Sequence, residues 1–167
     1  MQTRLHRADE TLVLVSRGPL LMYIFGPTQS TLADFEIMRE VGYALAEEFG
    51  VLGSCVVFNH GTQPPPPLEI RQIVALANDL ERFGPGAGVL MGLRPVTFAM
   101  FRAVIATARR LGFAIPVETQ LEDAARYFAA RLDAIAADDV MRLYEDGARR
   151  LLIRPGAERS RRRFRIR

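Results

Sequence analysis

Two short apolar runs rich in β-branched and aromatic residues, 11–15 and 20–25, flank Ser16, Arg17, Gly18 and Pro19, a spacing that predicts an antiparallel hairpin. Gly26, Pro27, Thr28, Gln29 and Ser30 then break the pattern. Ser30 or Thr31 can cap a helix in which Phe35, Met38, Val41, Leu45 and Phe49 recur at helical spacing, and Gly50 stops it. A strand over 54–58 follows, then a loop over 59–66 and a helix with Ile70, Ile73, Ala77 and Leu80 on one stripe. Gly84, Gly86 and Gly88 read as a helix stop and turn before a strand over 89–91. Pro95 suits the first turn of the next helix, which carries Phe98, Phe101, Ile105, Ala108 and Leu111 inward. A fifth strand over 113–117 contains Pro116, whose nitrogen cannot donate to a ladder, so the sheet is expected to end there. Thr119 caps a helix through Leu121, Ala125, Phe128, Leu132 and Ile135, and a further amphipathic segment carries Val140, Tyr144, Ala148 and Leu151.

A hairpin followed by alternating helices and strands predicts an α/β fold with a mixed, mostly parallel five-stranded sheet. The divisions are an α/β domain over 1–136, an additional C-terminal helix over 137–153 whose stripe must bury against the domain or a second copy, and a tail over 154–167. No run reaches the roughly 18 apolar residues that a membrane-spanning helix needs, and no signal peptide pattern opens the chain. A reducing cytoplasm is the expected setting, and Cys55, inside an apolar strand, is read as a buried thiol without function.

Charge divides the chain. All 22 cationic residues are Arg, and from Arg154 to Arg167 there are seven of them against one Glu, which leaves 15 Arg against 18 acids in residues 1–153. The basic balance therefore belongs to the tail. Arg159, Arg161, Arg162, Arg163, Phe164, Arg165 and Arg167 form a segment able to meet nucleic acid, an anionic membrane face or an acidic protein. Its alternation from Arg163 to Arg167 also fits strand addition to a neighbouring chain.

The layout from residue 10 to residue 135 resembles the STAS family, the sulfate-transporter and anti-sigma-factor-antagonist domain also called the SpoIIAA-like fold. The resemblance rests on the hairpin, the helix over 31–49, the strand over 55–58 and the alternating elements that end in the helix over 121–132. It implies a regulatory module that binds another protein, with a switch serine opening the helix after the third strand. Here that stretch reads Asn59, His60, Gly61, Thr62, Gln63, Pro64 to Pro67, Leu68 and Glu69, and no Ser or Thr occurs between Thr62 and Thr97. The phospho-switch is therefore expected to be lost. Glu69 would place one permanent carboxylate in the first helical turn, either as a mimic of the charged state or as ordinary helix-end stabilisation.

In open α/β sheets ligands gather beyond the carboxyl ends of the strands. The groups expected there for partner binding are Asn59, His60, Thr62, Glu69 and Arg94, with Phe98, Met100 and Phe101 beside them. His60, Arg94 and Glu118 could also combine a base, an anion clamp and an acid, a set compatible with hydrolysis, but their spacing carries no motif. Two His and one Cys offer no zinc spacing, and Gly84, Gly86 and Gly88 precede a strand, whereas phosphate loops follow one. The expectation is a non-catalytic protein-binding module without metal or cofactor, able to self-associate. The alternatives are anion binding through the tail, and small-ligand binding or hydrolysis at the strand ends.

Overall fold

The computed structural model describes residues 1–9 and 12–152, and the arginine-rich tail expected over 154–167 lies outside the described residues. The elements run β1 (Arg4–Ala8), β2 (Leu12–Arg17), β3 (Leu20–Phe25), α1 (Leu32–Phe49), β4 (Gly53–Phe58), a single 3-10 turn (Pro67–Glu69), α2 (Ile70–Glu81), β5 (Gly86–Leu90), α3 (Pro95–Arg110), β6 (Val117–Glu118), α4 (Leu121–Ala129) and α5 (Ala137–Leu152). They build one mixed sheet in the order β1-β2-β3-β4-β5-β6. β1, β2 and β3 are antiparallel, and β3 through β6 are parallel.

The alternation in β3 decides the layering. Leu21, Tyr23 and Phe25 pack with Leu12 and Leu14 against α1 residues Phe35, Met38 and Leu45. Leu20, Met22 and Ile24 point to the opposite face, where Leu121, Ala125 and Phe128 of α4 and Val140 and Leu143 of α5 cover them. Because each parallel crossover advances one strand with the same hand, α1, α2 and α3 share one face. The second face is left for α4 and α5. All six residues of β3 are fully buried, as expected of a strand covered on both sides.

Several boundaries differ from the sequence reading. The sheet has six strands, because Arg4–Ala8 adds an antiparallel edge next to β2. Gly86 and Gly88 lie inside β5 and are not part of a turn; of the three glycines Gly84 alone has a positive φ, at 154°. Of the strand expected over 113–117 only Val117 remains, joined by Glu118, although β6 is indeed an edge and the Pro116 carbonyl accepts from Gly88 N–H at 2.8 Å. The cap of α4 is Gln120 and not Thr119, and α4 ends at Ala129, so Leu132 and Ile135 are core residues of the connection that follows. Of the two caps expected for α1, Ser30 or Thr31, the helix takes Thr31, whose N–H donates to Asp34 Oδ2 at 3.0 Å, and its C-cap is Gly50 in the left-handed region at φ 73°. Among the described residues no helix is long and apolar enough to cross a membrane.

The C-terminal helix buries against its own sheet. Val140, Leu143 and Gly147 turn inward, and a Cβ at Gly147 would overlap the Ile24 Cδ1 methyl and come within 3.1 Å of Val15 Cγ2. Glycine is thus what lets α5 approach β2 and β3 closely. Arg17 Nη1 donates to Asp139 Oδ1 at 3.1 Å and ties the start of α5 to the end of β2. Replacing Gly147 by Val should lower stability by about 2 kcal/mol in urea unfolding, whereas Arg142→Val, on the exposed side of the same helix, should change it by less than about 0.5 kcal/mol.

Candidate functional site

Parallel strands β3, β4 and β5 all end at one rim, where residues 26–30, 59–66 and 91–94 meet. Backbone bonds join the first two loops. Gln63 N–H donates to the Thr28 carbonyl at 3.1 Å, Ser30 N–H donates to the Gln63 carbonyl at 3.3 Å, and Gln29 pairs with Gln63 in an isolated parallel bridge. Gly61, at φ 87°, packs so closely on Pro27 that a Cβ would lie 2.7 Å from the proline Cβ. The rim is therefore held by main-chain bonds and close packing, and the groups it presents are positioned in advance.

The expected site residues separate into inward and outward groups. Thr62 is fully buried, and its hydroxyl lies 3.0 Å from the Gly26 carbonyl and 3.3 Å from that of Phe25, so it locks the loop and is withdrawn from any partner. Asn59 is half-buried and accepts a hydrogen bond at Oδ1 from the Tyr144 hydroxyl at 3.0 Å. Tyr144 comes from α5, and burial raises its phenol pKa above the ordinary value while the bond to Asn59 opposes that rise. No short-range signal in the sequence couples positions 59 and 144. Phe101 is buried at 2%, against Phe58 at a ring distance of 4.7 Å, and Phe98 is half-buried.

Glu69 faces a different helix from the one it precedes. Its Oε2 accepts the N–H of Leu32, the first residue of α1, at 2.6 Å, so the carboxylate stabilises the positive end of α1 across 37 positions of chain. Pro64 and Pro65 are buried beneath this junction, which makes the proline run a packed lead into α2.

His60, Arg94 and Met100 remain exposed. His60 Nδ1 lies 3.0 Å from the Gly92 carbonyl. A carbonyl only accepts, so Nδ1 carries the proton and Nε2 is left as an outward acceptor. Among the described residues no hydrogen bond or ion pair joins His60, Arg94 and Glu118 to one another, and His60 Nδ1 is engaged by the Gly92 carbonyl instead. Among the described residues no group of three or more His, Cys, Asp and Glu side chains could hold a metal ion. Cys55 is fully buried, and desolvation pushes its thiol up to about 12, which suppresses the reactive thiolate. Leu68, an apolar side chain absent from the expected set, is 93% exposed at this end of the sheet, where Val96 is 74% exposed and Met100, one turn farther along α3, 50%.

No family model and no curated protein matches this chain. Among solved structures it is similar to a chain of the Pseudomonas malonate decarboxylase MdcD-MdcE hetero-dimer, with 16% identity, a TM-score of 0.43, and coverage of 89% of this chain and 88% of that one. Likeness at that level transfers neither activity nor site residues.

The junction at Glu69 yields a direct stability test. Glu69→Ala should cost about 1 kcal/mol in urea unfolding by removing the acceptor from the start of α1, and Glu69→Gln, which keeps an acceptor oxygen without the charge, should cost about half as much.

Proposed function

We propose that this chain is a non-catalytic protein-binding module of STAS-like layout, which meets its partner with the rim at the carboxyl ends of β3, β4 and β5. The observation that carries the reading is the exposure of Leu68 in the turn that leads into α2 and of Val96 and Met100 in the first two turns of α3. Large apolar side chains on a preordered rim favour association, since each is desolvated on contact without a loop first having to be fixed. His60 and Arg94 flank them: His60 Nε2 can accept a hydrogen bond from a donor of a partner, Arg94 can pair with its carboxylates, and Phe98 extends the apolar area.

In this reading the serine switch of the resembled family is replaced by a constitutive surface. No hydroxyl occurs from residue 63 to residue 96, and that of Thr62 is committed to two carbonyls. The reading places the chain in a reducing cytoplasm, where the single buried Cys55 needs no disulfide partner. A second reading rests on the charge division: seven Arg in residues 154–167 favour binding of nucleic acid or an anionic surface through that segment.

Affinity purification with the intact chain, a Val96→Asp/Met100→Asp variant and a truncation ending at residue 153 separates the two. The first reading predicts a protein, or a second copy of the chain, retained by the intact form and by the truncation. The double variant should weaken it on the order of thirtyfold in Kd. Retention unchanged by the double variant and abolished by truncation, with strong loss at 200 mM salt, would favour the tail instead.

A further inference from the structure

The face of the sheet under α2 and α3 is less well filled than the rest. On β4 and β5 the positions directed to this side include Ser54, Val56, Gly86 and Gly88, so the floor carries few side-chain atoms. Above it, Val74 of α2 and Phe101, Val104 and Ala108 of α3 do not reach the strands fully, and a cavity of about 110 Å³ remains. A Cβ placed on Gly88 would meet nothing nearer than the methyls of Val117, at 3.4 and 3.8 Å, and the Pro116 carbonyl oxygen at 3.9 Å, all ordinary contacts. Protein interiors otherwise pack as densely as organic crystals, so a space of this size is uncommon.

Its chemistry is uneven in a useful way. The lining is almost wholly apolar and includes no charged residue. Tyr23 already donates its hydroxyl to the Met38 carbonyl at 3.2 Å. Ser54 is 8% exposed, lines the cavity, and makes no side-chain hydrogen bond among the described residues. A water there would lack the two to four polar partners that hold buried water, so the space suits an apolar occupant. An ion is disfavoured, because nothing in the lining would offset its desolvation.

We propose that this cavity is a binding site for a small uncharged molecule with an apolar body and one hydroxyl or carbonyl group, which Ser54 Oγ would engage. Engineered cavities of comparable size accept one benzene ring, so a single ring or a short alkyl chain sets the scale. This site lies inside the helix–sheet layer, apart from the exposed rim, and its occupancy is measured on the chain alone without any protein partner.

The test titrates phenol and benzene into the full-length protein and follows methyl and amide chemical shifts. Both should produce saturable shifts centred on Val74, Val104 and Val117, with phenol binding about fivefold more tightly through one added hydrogen bond. Ser54→Ala should erase the advantage of phenol and leave benzene unchanged. Ala108→Leu, verified as folded by circular dichroism, should lose both ligands. Gly88→Ala, whose methyl makes only ordinary contact with Val117, should weaken both if the larger substitution unfolds the protein. The proposal is overturned if neither ligand saturates at those residues, if the folded filling variants bind like the wild type, or if the phenol advantage survives in Ser54→Ala.

Discussion

Burial of β3 on both faces is the constraint on which the rest of the structure depends. Six consecutive residues, Leu20 to Phe25, are fully buried, and their side chains alternate between α1 on one side and the α4–α5 layer on the other. A strand this apolar cannot sit at an edge, so it takes β2 antiparallel on one flank and β4 parallel on the other. From that choice the parallel crossovers follow outward through β5 to β6. The α4–α5 layer then has to return across the second face, where Gly147 allows close approach to Ile24 and Val15.

The two faces are filled to different degrees, with chemical consequences. Under α4 and α5, Cys55, Val57, Ala87 and Val89 join Val13, Met22 and Phe128 in one buried cluster, and the thiol of Cys55 is chemically silenced there. Under α2 and α3 the same strands present Val56 beside Ser54 and two glycines, which leaves a cavity of about 110 Å³ beneath those helices. The rim above both layers is firm for a separate reason: Thr62, Gln63 and Ser30 spend their polar groups on neighbouring loops. What the rim offers outward is therefore mainly apolar, with His60 Nε2 and Arg94 at its margin.

Much of this was legible in the sequence. The hairpin, the helical stripes and the α/β alternation follow from periodicity, and a cap at Ser30 or Thr31 and the stop at Gly50 follow from residue type. β1 escaped because Arg4–Ala8 has no apolar alternation, being largely exposed in an edge strand. Gly86 and Gly88 escaped because glycine signals a turn locally, while here both lie in a strand, Gly86 close against Ile115 and Gly88 with room for a methyl beside Val117. For the site, exposure of His60, Arg94 and Met100 could be anticipated from loop and helix-start positions. The inward turn of Thr62, the reach of Glu69 to α1 and the bond from Tyr144 to Asn59 are long-range pairings that no local pattern encodes.

The central claim is that the rim is a preordered surface supported by β3 and its neighbours. Native-state amide hydrogen exchange tests it most directly, because protection reports the free energy of local opening. The account predicts that the amides of Ser30, Thr62 and Gln63, bonded to the Gln63, Asn59 and Thr28 carbonyls, exchange nearly as slowly as those of β3 and β4. Exchange of these three amides at the rate of an unstructured chain, with β3 still protected, would contradict it.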